Sequence, residues 1–139
     1  MKRFVLDASV ALAWFVDRPI DPYAERIREH LRTEWVATAP LLWQTEVANI
    51  LAAAERRKIL TEADVAEASV ALQRLSPTRL RLDVSVLTLD ELTKCAREFR
   101  LTAYDAAYLL LAIRERLPLA TLDKALQAAM GKADVVLLR

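Results

Sequence analysis

One cysteine, one glycine and one histidine occur in the whole chain, and each scarcity closes a branch of chemistry. Cys95 has no partner, so no intrachain disulfide can form and a reducing compartment suits the protein. Neither Cys95 nor His30 stands in a metal-ligand motif, which leaves zinc without support. The single histidine lies in the polar stretch 23–33 and reads as a surface residue, so catalysis by a histidine pair is impossible. Gly131 alone makes neither a GxGxxG nor a GxxxxGK phosphate cradle. No apolar run approaches the roughly 18 residues of a membrane span. Met1-Lys2-Arg3 followed by Phe4-Val5-Leu6 imitates an export signal, but Asp7 breaks the apolar stretch too early. A soluble, cytoplasmic protein is the expectation.

An excess of charge is missing too. Twenty basic and 19 acidic side chains leave a net charge of +1, so bulk charge does not hold this protein to nucleic acid. A local basic rim from Arg18, Arg56, Arg57 and Lys58 remains compatible with that balance, although solvated surface is their ordinary role.

Against these absences stands a folding composition, 55% apolar and 28% charged. With no internal repeat, low-complexity segment or flexible linker, residues 1–139 read as one domain. Short β-rich runs alternate with longer helical patterns. Strands are predicted at 3–6, 35–39, 80–84, 119–122 and 135–138. Helices are predicted at 8–16, 23–33, Pro40 to about Lys58, and Thr61 to about Leu75. Further helices fall at 85–99, 103–117 and 124–130, the last with Gly131 as its C-cap. That alternation predicts an α/β fold with a parallel sheet covered on both faces. Ligands in such folds bind at the carboxyl ends of the strands.

The positions of the acids carry the functional signal. Asp7 closes the apolar run 4–6, and Asp123 follows the apolar run 119–122. Glu46 and Asp105 lie inside apolar helical stretches. Acids in such surroundings are rare unless they are paired or bind metal. Asp7 and Asp123 fall at the ligand-binding edge, where each also has an ordinary use as a helix cap. Ser9, two residues after Asp7, has a hydroxyl for a phosphate oxygen or metal-bound water. Asn49 shares a helix face with Glu46 and can orient it. Thr121 is two residues from Asp123, on one side of an extended segment. Close carboxylates repel unless a cation intervenes, and oxygen ligands alone select Mg²⁺ or Mn²⁺. Metal-assisted hydrolysis of a phosphodiester is the chemistry left open. A receiver domain needs an acid pair after the first strand, and a haloacid-dehalogenase-like phosphatase needs a second aspartate at position 9. Ala8 and Ser9 stand there instead.

The ordered set Asp7-x-Ser9, Glu46 with Asn49, Asp105-Ala106-x-Tyr108 and Thr121-x-Asp123 resembles the PIN-domain ribonucleases, with the VapC toxins of VapBC toxin–antitoxin pairs as the nearest subgroup. The resemblance covers essentially the whole chain. It implies a three-layer α/β/α sandwich with a mainly parallel sheet of four or five strands. It implies Asp7, Glu46, Asp105 and Asp123 as catalytic acids holding Mg²⁺ or Mn²⁺, supported by Ser9, Asn49 and Thr121. RNA as substrate, a homodimer and a small inhibitory antitoxin follow from the same likeness. One departure is Leu110, which stands where alanine is common. Trp14, Phe15 and Val16, with helices 23–33 and 47–60, offer an apolar groove for an antitoxin helix. The rival expectation is the same fold used as a protein-binding or regulatory module without nuclease activity.

Overall fold

Phe4, Val5 and Leu6 are three successive residues, all wholly buried. Neighbouring side chains on a strand point to opposite faces, so both faces of β1 (Lys2–Leu6) are covered. The computed structural model describes residues 1–139. After β1 come α1 (Ala8–Val16), α2 (Pro22–Leu31), β2 (Trp35–Pro40), α3 (Leu42–Arg56) and α4 (Glu62–Gln73). β3 (Leu80–Asp83), α5 (Leu89–Phe99), α6 (Ala103–Glu115), β4 (Leu119–Ala120) and α7 (Lys124–Lys132) complete the order.

The four strands form one sheet in the order β3-β2-β1-β4, and every pairing is parallel. This is the expected three-layer α/β/α sandwich, with four strands. Parallel pairing sets all the carboxyl ends along one edge. Leu6 pairs with Ala120 there, so Asp7 and Thr121 emerge side by side. α6 packs against β1, β2 and β4. It buries Ala106, Ala107, Tyr108, Leu109, Leu111 and Ala112, which accounts for its nearly continuous apolar sequence. No helix is long and apolar enough to cross a membrane.

Several boundaries differ from the expectation, each for a local reason. Pro40 ends β2, where it pairs with Asp83, instead of opening α3. α5 begins at Leu89 and not at 85. Thr88 accepts from the Glu91 backbone N–H at 3.1 Å while Glu91 accepts from that of Thr88 at 2.8 Å, a reciprocal cap that fixes the start. Gly131 lies within α7, and the chain turns only at Asp134, at a φ of 56°. The run 135–138 is not a full strand. It contributes one parallel bridge, Leu137 to Leu119, because β4 itself is only two residues long.

The surface groups also sort themselves. His30 is half-buried, tilted against Trp35 with ring centroids 5.2 Å apart. Arg18, Arg56, Arg57 and Lys58 are exposed and take part in no ion pair. Arg56 lies ten residues beyond Glu46 on the same helix, about 15 Å along its axis. Arg56, Arg57 and Lys58 therefore stand at the far end of α3 from Glu46. Trp14 is buried, with Nε1 donating to the Ala24 carbonyl at 2.7 Å, while Phe15 and Val16 are half-buried. An apolar groove of about 260 Å³ opens beside them, and its far wall is α4 and the turn that follows it, through Ala71, Leu72 and Leu75, instead of the segment 47–60.

Candidate active site

Asp7 sits at the N-cap position of α1 but makes no side-chain cap hydrogen bond. Its carboxylate turns across the sheet edge. Ser9 donates to Oδ2 at 2.6 Å, and Thr121 donates to the same oxygen at 2.7 Å. Oδ1 is left without a side-chain donor. Asp7 is only 4% exposed. Burial pushes its carboxyl above the usual aspartate value, the two hydroxyls pull it back, and the charge of Asp123 adds to the rise.

The hydroxyls are themselves anchored. Ser9 Oγ accepts from the Leu122 backbone N–H at 3.1 Å, and Thr121 Oγ1 accepts from that of Asp123 at 3.0 Å. Gln127 Nε2 donates to the Thr121 carbonyl at 2.9 Å. Asp7, Ser9, Thr121 and Asp123 therefore form one hydrogen-bonded unit. Asp123 does cap α7, with Oδ1 accepting from the Leu126 backbone N–H at 2.8 Å. Its other oxygen remains unused by the cap.

Glu46, in the second turn of α3, is half-buried. Oε1 accepts from the Tyr108 hydroxyl at 2.7 Å. Burial raises its carboxyl, the phenol lowers it, and the charge of Asp7 raises it again. Asn49 is exposed and makes no side-chain hydrogen bond to Glu46. The group that meets Glu46 is Tyr108, whose helix position within an apolar run gives no sign of the contact. The available signal was chemical: a buried phenol needs an acceptor.

Asp105 lies in the first turn of α6, which is capped by Thr102 Oγ1 accepting from the Asp105 backbone N–H at 3.1 Å. Its carboxyl is pushed up to about 6 by burial first, then by the charges of Asp123, Asp7 and Glu46. All four acids thus share one electrostatic neighbourhood. None of them pairs with a Lys, Arg or His.

That donor set suits a hard divalent cation: it is all oxygen, negatively charged and uncompensated. The side chains do not close around one point, and no three His, Cys, Asp or Glu groups stand near enough to hold an ion as a cage. An open arrangement fits an ion such as Mg²⁺, which commonly keeps several waters and binds through one or two carboxylates.

Fold and site together define an α/β protein with an acidic, hydroxyl-tethered pocket at the carboxyl edge of a parallel sheet. The chain belongs to the PIN-domain family, whose model matches residues 4–132. Members of that family are generally nucleases. Among solved structures, the chain is similar to the crystal structure of PAE2754 from Pyrobaculum aerophilum. The two share 25% sequence identity at a TM-score of 0.69, over 92% of this chain and 84% of that one. No curated protein matches the chain.

Proposed function

We propose that the protein is a Mg²⁺- or Mn²⁺-dependent endoribonuclease that hydrolyses RNA phosphodiester bonds, acting as the toxin of a VapBC-type pair. The observation that carries this reading is the coupling of Asp7, Glu46, Asp105 and Asp123 with no cationic side chain among them. Asp7, Glu46, Asp105 and Asp123 would hold the ion. When bound, it supplies activation of water for attack and neutralisation of charge at the phosphoryl group. The protein's share is orientation. Ser9 and Thr121 hold Asp7, the backbone of α7 holds Asp123, and Asn49 stands on the exposed flank of Glu46, where RNA would pass. One histidine in the chain leaves no pair to run the alternative acid–base route.

Partners follow from the surface. The groove between α1, α2 and α4 combines Trp14, Phe15, Leu31 and Leu75 with Arg28, and supports docking of an amphipathic antitoxin helix. Val84, Val86 and Leu89 are exposed at the start of α5 and in the loop before it, and exposed Leu41 and Tyr104 line a pocket with Asp83, Ser85 and Leu87 of that loop region. A patch of that kind supports a homodimer interface.

The test is incubation of antitoxin-free protein with a mixed RNA pool and Mg²⁺ or Mn²⁺. EDTA and the Asp7→Asn variant serve as controls. Cleavage that requires both the metal and Asp7 is expected. A folded, metal-binding protein that leaves the pool intact would favour the binding-module reading instead.

A further inference from the structure

α6 carries two groups to the acidic pocket. Asp105 and Tyr108 are three residues apart and so share one helix face. Tyr108 is wholly buried, and its hydroxyl reaches α3 to donate to Glu46 Oε1 at 2.7 Å. Phenylalanine would fill the same buried position without the cost of burying a hydroxyl.

Glu46 is a flexible side chain only half withdrawn from water. Unrestrained, its carboxylate samples several rotamers, and ordering it on binding costs entropy. A phenol held rigidly in the core removes that freedom. It has one hydrogen and gives it to Oε1, so Oε2 is the oxygen left to face the pocket. The same device recurs at the neighbouring acids. Asp7 is held by Oδ2 and Asp123 by Oδ1, each leaving its second oxygen unheld by side chain or cap. Three carboxylates are thus each fastened through one oxygen, with the second left free of side-chain and cap donors.

From this geometry we infer that Tyr108 is a positioning residue, holding Glu46 so that Oε2 is presented to a divalent ion. This rests on reading the acids as an ion site. Orientation of a ligand by an outer partner commonly alters metal affinity 10- to 100-fold.

The test is Mn²⁺ titration of the metal-free protein by calorimetry, comparing wild type with Tyr108→Phe, Glu46→Gln, the double variant and Tyr23→Phe. The last removes a different tyrosine bond, from the Tyr23 hydroxyl to the Leu138 carbonyl. Tyr108→Phe is expected to weaken Mn²⁺ binding about 10-fold or more. In the Glu46→Gln background it should add nothing, and Tyr23→Phe should bind as wild type does. Wild-type affinity in a folded Tyr108→Phe protein overturns the inference. Absence of Mn²⁺ binding by wild type itself overturns the ion site and the inference together, and is recognised by that first titration.

Should Tyr108→Phe not fold, the hydroxyl proton of Tyr108 can be followed by NMR in the intact protein. The chain has three tyrosines, so Tyr23→Phe and Tyr104→Phe assign it by elimination. A resonance that shifts on Mg²⁺ addition, and is moved by Glu46→Gln, supports the inference. One indifferent to both overturns it.

Discussion

Thr121 donates to Asp7 Oδ2 at 2.7 Å across a sequence separation of 114 residues. The contact is a consequence of strand register. Leu6 pairs with Ala120, and the Asp7 backbone N–H donates to the Ala120 carbonyl at 3.0 Å. The next side chain on β4's exit then meets the first on β1's exit. A hydroxyl there offsets part of the cost of burying a carboxylate.

Replacing Thr121 by Val keeps the shape and removes the donor. It also strips the Asp123 backbone N–H of its acceptor. A loss of about 1–3 kcal/mol in unfolding free energy is expected from urea denaturation, with a fall in RNA cleavage. Ser9→Ala, at a half-buried position, should cost less stability.

Asp105 links stability to pH. Its carboxyl lies at about 6, above the ordinary 3.8, so the folded protein binds this proton more tightly than the unfolded chain does. The stabilisation is complete below about pH 4 and is lost as pH rises through about 6. In metal-free buffer, Asp105→Asn should therefore gain in Tm relative to wild type as pH rises from 4 to 7. Thermal melts across that range read the difference directly. A gap between the two proteins that does not vary with pH would contradict the coupling.

The exposed side chain of Val86, 89% accessible, lies in the proposed dimer patch. Val86→Asp should convert a dimer to a monomer in light scattering without lowering monomer stability, since the residue contacts solvent in the single chain. An unchanged mass would remove this face from the interface.

At the start of α5, Thr88→Ala deletes the reciprocal cap with Glu91. About 1 kcal/mol of stability should be lost, measured by denaturant midpoint, while RNA cleavage stays near wild type because the cap is exposed and outside the acidic pocket.

Much of this architecture was legible in the sequence because it depends on short-range patterns. The run Phe4-Val5-Leu6 announces a strand buried on both faces, and Asp7 after it announces a ligand edge. The order of strands and helices then implies which ends share that edge. What escaped was set by contacts distant in sequence or by competition between local signals. The Tyr108–Glu46 bond spans 62 positions, and the motif Asp105-Ala106-x-Tyr108 names the tyrosine without naming the acid it meets. Asn49 had the right helical spacing to Glu46, but it is exposed and makes no side-chain hydrogen bond to it. The run 135–138 looked like a central strand, yet its only sheet neighbour is the very short β4, so one bridge is all it forms. Gly131 suited a helix end by composition, while the turn fell three residues later at Asp134.

The most direct measurement is the chemistry of the ends left on cleaved RNA. Water activated in the acidic pocket predicts open phosphate monoester ends, with no 2′,3′-cyclic phosphate. The cleavage should vanish with EDTA or Asp7→Asn. Cyclic phosphate ends, formed equally well without metal or with Asp7→Asn, would contradict the assignment of catalysis to these carboxylates.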